Sequence, residues 1–180
     1  MPRLFIAAII PEKVKKEILS QKLQKKFGEN LRWVPSQNIH LTLIFLGQSS
    51  EEDFKKIKNI LKETVNKISS PLFLTLNKVS LGPNKKRPRL VWVEGTANEE
   101  LLNFVKNLKN NLSKENIFFD QKYSFRPHIT LARSKGKELW NKNLEEKMNL
   151  TFPIKEIALM ESKLKREGAE YKILESTFLK

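Results

Sequence analysis

The pattern His-x-Thr-Leu occurs twice in this chain, at His40-Leu41-Thr42-Leu43 and at His128-Ile129-Thr130-Leu131, roughly half the chain's length apart. Side chains alternate along a strand, so a histidine and a threonine two places apart share one face. Leu41, Leu43, Ile129 and Leu131 then point the other way, into a core. The chain has only two histidines and seven threonines. Threonine two places after both histidines is a coincidence expected in roughly one such sequence in a thousand. Two similar halves would set the motifs face to face across a pseudo-two-fold axis, making one site from two strands.

A chain of 180 residues is enough to bury one good core and falls within the range of a single domain. Cysteine is absent, which removes disulfides, thiolate nucleophiles and thiolate zinc sites and fits a reducing compartment. The formal charge of +14 favours anionic partners, nucleic acid first and acidic membrane second. A lysine-rich solvated surface explains the same charge equally well. The opening apolar run Leu4 to Ile10 is too short for a signal segment or a membrane span and reads as a buried strand. The expectation is a cytoplasmic protein.

The rest of the chain alternates between strand and helix signals. Pro11 suits the first position of a helix, and Val14, Ile18, Leu19, Leu23 and Phe27 recur at helical spacing from Glu12 to Phe27, with Gly28 as the stop. Leu31–Val34 and Ile39–Leu46 read as strands split by the turn at residues 35–38, with Gly47 ending the second. Ser50 with Asp53 resembles a capping box and opens a helix to about Ile68, with Phe54, Ile57, Leu61, Val65 and Ile68 inward. Leu72–Val79 and Leu90–Glu94 read as strands. Asn98 caps a helix carrying Leu101, Leu102, Val105, Leu108 and Leu112 on one side. Ile117–Phe119 reads as extended chain, His128 to Ala132 as a strand, and residues 136–149 are ambiguous. Ile154–Leu164 and Tyr171–Leu179 form a closing hairpin around Lys165-Arg166-Glu167-Gly168.

Two imidazoles and two hydroxyls suit one kind of chemistry. Imidazole titrates near neutral pH, so one ring can hold a proton while the other lacks one, the arrangement for concerted acid and base catalysis. A phosphodiester matches this. One side activates water, the other protonates the leaving oxygen, and the threonines hold the non-bridging oxygens. A metal site is the rival, but neither motif contains a carboxylate, so no metal and no cofactor is expected. Arg126 shares the face of His128 by parity. Lys85, Lys86, Arg87 and Arg89 are either an RNA backbone contact or a solvated loop. Trp33, Trp92 and Phe45 read as core.

The chain resembles the two-histidine phosphoesterase superfamily and, within it, the RNA 2′,3′-cyclic phosphodiesterases formerly called 2′-5′ RNA ligases. The likeness runs nearly end to end. It is carried by Arg3-Leu4-Phe5-Ile6-Ala7, Arg32-Trp33-Val34, His40 to Gly47 and Pro88-Arg89-Leu90-Val91-Trp92. It continues in Arg126 to Arg133, Glu161-Ser162-Lys163-Leu164 and Gly168-Ala169-Glu170-Tyr171. The resemblance implies an α+β fold: a single domain over residues 1–180 with two pseudo-symmetric lobes, each an antiparallel sheet with helices on its outer face, around a central cleft. It implies metal-independent opening of a terminal RNA 2′,3′-cyclic phosphate to a 2′-phosphomonoester, by a monomer without membrane association. His40 is then the proton donor and His128 the proton acceptor, with Thr42, Thr130 and Arg133 on the phosphate. Strict alternation puts Arg133 on the opposite face from His128, so it reaches the cleft only if the strand ends or bulges near Ala132. The alternatives are 2′-5′ ligation by the reverse reaction, a small cyclic phosphate as substrate, and a module that binds RNA ends without turnover.

Overall fold

The computed structural model describes residues 1–122, 124–165 and 168–179. It has the expected α+β architecture, built on two antiparallel sheets. The first sheet has the order β3-β1-β8-β9, using β1 (Arg3–Ile9), β3 (His40–Gln48), β8 (Glu156–Lys165) and β9 (Gly168–Phe178). The second has the order β2-β6-β5-β4-β7, using β2 (Arg32–Trp33), β4 (Leu72–Gly82), β5 (Leu90–Ala97), β6 (His128–Arg133) and β7 (Glu145–Ile154). One histidine motif therefore opens a strand in each sheet. A single apolar cluster joins both, taking in Leu41 and Leu43 from β3 and Ile129 and Leu131 from β6. Each fully buried leucine contributes about 1.5–3 kcal/mol.

Helices α3 (Glu51–Asn66) and α4 (Glu99–Lys114) form where caps and periodicity agree. The Ser50 hydroxyl accepts from the Asp53 backbone and Asp53 accepts from the Ser50 backbone, so two otherwise unpaired N–H groups are satisfied. Asn98 accepts from the Leu101 backbone in the same way. Ile57, Ile60, Leu61 and Val65 of α3, and Leu101, Phe104, Val105, Leu108 and Leu112 of α4, are buried. Asn111 donates to Thr64 at 3.0 Å and ties the two helices together. Among the described residues, no helix is long and apolar enough to cross a membrane.

Three local features differ from the expectations. The helix expected from Glu12 to Phe27 is two, α1 (Glu12–Ile18) and α2 (Gln21–Phe27). Ser20 is the N-cap residue of the second, without a side-chain cap hydrogen bond, and Pro11 is the N-cap of the first rather than its first turn. Strand β3 does not end at Gly47 but passes through it to Gln48, with Gly47 at φ 70°, where an L side chain is strained. The ambiguous segment after residue 136 contains the start of β7 at Glu145. Residues 117–119 join no ladder. Ile117 and Phe119 are buried there while Phe118 is exposed. Lys165 and Gly168 pair across the closing hairpin, and Arg166 and Glu167 of its turn lie outside the described residues.

Candidate active site

The two motif strands deform in the same way. In β3, Ile6 pairs with Ile44 and Ala7 with Thr42, leaving Leu43 as an extra residue. In β6, Val91 pairs with Ala132 and Trp92 with Thr130, leaving Leu131 as an extra residue. Each bulge falls on the fourth residue of its motif and shifts the alternation by one. Two successive residues are then buried, Leu43 with Ile44 and Leu131 with Ala132. The residue after each pair returns to the face of the histidine. That residue is Phe45 in β3 and Arg133 in β6.

One cavity of about 600 Å³ lies between the sheets, lined by His40, Thr42, His128, Thr130, Arg133 and Phe45, among others. Arg133 reaches it because of the bulge at Leu131, which resolves the parity difficulty. The expectation for Phe45 is corrected by the same device. Phe45 is 56% exposed and forms cavity wall rather than core. Phe118, 70% exposed, stands on the same wall, and the Asp120 backbone donates to the Phe45 carbonyl at 2.8 Å to hold that segment against β3.

Both imidazoles are pinned identically. His40 Nδ1 lies 2.7 Å from the carbonyl of Asn38, and His128 Nδ1 lies 2.8 Å from the carbonyl of Arg126. A carbonyl only accepts, so Nδ1 carries the hydrogen in each ring. In the neutral ring Nε2 then bears the lone pair. His40 Nε2 lies 3.0 Å from the Thr42 hydroxyl, which donates to the neutral ring or accepts from the charged one.

The surroundings differ. The His40 ring packs between Phe5 and Tyr171, each 5.0 Å away between centroids. This burial pushes its pKa below the ordinary imidazole value. The Asn38 carbonyl opposes the shift, while the charges of Arg133 and His128 add to it. His128 packs on Trp92, 4.8 Å between centroids. The Trp92 indole donates to Ser80 Oγ at 2.9 Å, Ser80 donates to Glu94 at 2.5 Å, and Glu94 pairs with Arg126 at 2.9 Å. Burial works against the Glu94 carboxylate, but Ser80 and Arg126 outweigh it and hold its pKa below the usual range. Arg126 also lies over the Trp92 ring at 5.0 Å, so it serves the support of His128 and is not among the residues lining the cavity. Trp92 is core, as expected, whereas Trp33 is only half-buried. Lys85, Lys86, Arg87 and Arg89 are exposed and do not line the cavity.

Among the described residues, no group of three or more histidine or carboxylate side chains is placed to hold a metal ion. Among the cavity-lining residues that the sequence did not single out are Phe118 and Tyr171. Phe118 has a signal, an aromatic exposed between two buried residues, but it lies in a segment with no motif. Tyr171 stands out in the sequence only for its family likeness, and its approach to His40 across the sheet has no local signal.

A family model described as LigT like Phosphoesterase matches residues 10–92. The chain is 33% identical to the RNA 2′,3′-cyclic phosphodiesterase of Thermotoga maritima over 96% of this chain and 92% of the relative. Its fold superposes on the crystal structure of TT0787 of Thermus thermophilus with a TM-score of 0.85 and 28% identity, covering 98% of this chain and 97% of that one. It superposes on E. coli LigT complexed with 3′-AMP with a TM-score of 0.76 and 26% identity, covering 99% and 98%. With matched bulges, a shared cavity and end-to-end likeness, the chain belongs to the LigT-like phosphoesterase family.

Proposed function

We propose that this protein is an RNA 2′,3′-cyclic phosphodiesterase that opens the terminal cyclic phosphate to a 2′-phosphomonoester without a metal. The observation that carries this reading is the pair of imidazoles lining one cavity, each held by Nδ1 on the carbonyl two residues before it. The Thermotoga relative bears that activity as its name, and E. coli LigT binds 3′-AMP, a nucleoside phosphate. The exposed rings of Phe45 and Phe118, which line the same cavity as the two histidines, suit a nucleobase, since base–aromatic stacking is tolerant of sequence.

In this mechanism His128 Nε2 takes a proton from water as the oxygen attacks phosphorus. The bond from phosphorus to the 3′ oxygen breaks, and His40 delivers its Nε2 proton to that oxygen. Thr42, Thr130 and Arg133 hold the non-bridging oxygens as charge grows on them. The order of donor and acceptor follows the family resemblance. The low pKa of free His40 is compatible with a donor role because a bound phosphate anion favours the imidazolium. The whole of residues 1–180 acts as one two-lobed domain, as a cytoplasmic monomer without membrane attachment.

The test is incubation with RNA ending in a 2′,3′-cyclic phosphate, in excess chelator, with the product identified. A 2′-phosphate is expected. No turnover would remove the enzymatic reading in favour of an RNA-end binding module, loss on chelation would restore a metal, and a 3′-phosphate would exchange the two histidines' roles.

A further inference from the structure

A second groove, of about 400 Å³, opens beside the catalytic cavity and shares Val34, Asn38, Arg133 and Tyr171 with it. One wall is the edge strand β2, the other the β8–β9 hairpin. Arg32 of β2 is the direct cross-strand partner of Arg133. Such partners stand on the same face with Cβ atoms about 5 Å apart, and like charges in this position are unfavourable. Neither arginine has a carboxylate partner among the described residues. Arg32 also reaches across the groove, where a side chain at Gly168 would meet its guanidinium at 3.7 Å. The groove's one described carboxylate, Glu170, is neutralised by Lys165 at 2.6 Å.

An arginine pair with no carboxylate partner among the described residues is relieved by an external anion, and a planar guanidinium suits phosphate. We propose that Arg32 binds the phosphodiester on the 5′ side of the terminal nucleotide, so that the second groove receives the RNA strand as it leaves the catalytic cavity. Arg133 sits at the junction of the two. This subsite rests on the cyclic phosphodiesterase reading above and deepens it. The protein becomes a reader of RNA ends rather than of free cyclic nucleotides, with the distinction made by one charge.

The experiment uses a mononucleoside 2′,3′-cyclic phosphate, a dinucleotide ending in one, and the same dinucleotide with a neutral methylphosphonate linkage. Wild-type kcat/KM is expected to be about tenfold higher for the charged dinucleotide than for the neutral one, the gain of one charge-assisted phosphate contact. R32Q is expected to abolish that difference while leaving the mononucleoside and methylphosphonate rates unchanged, and R32K to restore part of it. R32Q slowing the mononucleoside as much as the dinucleotide would overturn the subsite, as would a wild type indifferent to the linkage charge. If the wild type turns over none of the three, the activity reading fails by itself. The subsite is then judged by equilibrium binding of a dinucleotide 2′-phosphate, which R32Q must weaken about tenfold with the charged linkage only.

Discussion

Phe45 and Arg133 each stand five residues after a motif histidine, and each faces the cavity because one extra residue, Leu43 or Leu131, interrupts the strand between. The two halves thus make the same backbone move and end it with opposite chemistry: a ring on one wall and a cation on the other. Arg133→Ala is expected to lower kcat/KM by about 10²-fold, the typical loss when one donor to a developing oxyanion is removed. Phe45→Ala is expected to raise KM about tenfold with little change in kcat, because stacking on the base is the same in ground and transition states. Steady-state kinetics on a cyclic-phosphate dinucleotide separate the two effects.

The unequal packing of the histidines gives a test of which one donates. Tyr171→Ala lets water reach His40 and is expected to raise its lowered pKa. A donor must be protonated, so activity falls as pH rises through its pKa. With His40 as donor, the alkaline limb of the kcat/KM profile moves to higher pH in this variant. With His40 as acceptor, the acid limb would move instead.

The plane beneath His128 is held as firmly as the histidine itself. A Cβ on Gly82 would collide with the Trp92 ring, so the indole or the strand beneath it must shift. Gly82→Ala is expected to cost about 1–3 kcal/mol of stability by overpacking. It should also lower kcat more than it raises KM, since the ring under His128 is displaced while the residues proposed to bind phosphate remain. Thermal unfolding and kinetics on the one variant check both.

Much of this is legible in the residues. His40, Thr42, His128 and Thr130 share a cavity because alternation within a three-residue span is hard to disturb. The capping box at Ser50 and the cap at Asn98 are equally readable, being local hydrogen-bond chemistry. What fails is anything that depends on alternation across a bulge. Strict parity puts Phe45 on the wrong face because the inserted residue is a leucine, and Leu43-Ile44 reads as ordinary apolar strand. The break between α1 and α2 at Leu19-Ser20 escapes the sequence for a similar reason: the apolar spacing continues through it while the backbone does not. The pairing of Arg32 with Arg133 is a register fact between strands far apart in sequence, and no local pattern carries it.

Activity is expected to be unchanged by excess chelator, because the proposed mechanism moves protons between two imidazoles and water and assigns Arg133 the charge that a metal would otherwise carry. Rates before and after chelation, with and without added divalent ions, check this. A rate that is lost and then restored by one ion would place a metal in the cavity.

The most direct test of the whole account is the rate of opening of a terminal cyclic phosphate by His40→Ala, by His128→Ala and by the double variant. Each single change is expected to cost about 10²–10⁴-fold, the usual contribution of a positioned acid or base. The double variant should be little worse than the slower single one, because the two groups act in one concerted step. Either single variant retaining the wild-type rate would contradict the claim that the two histidines form one catalytic site.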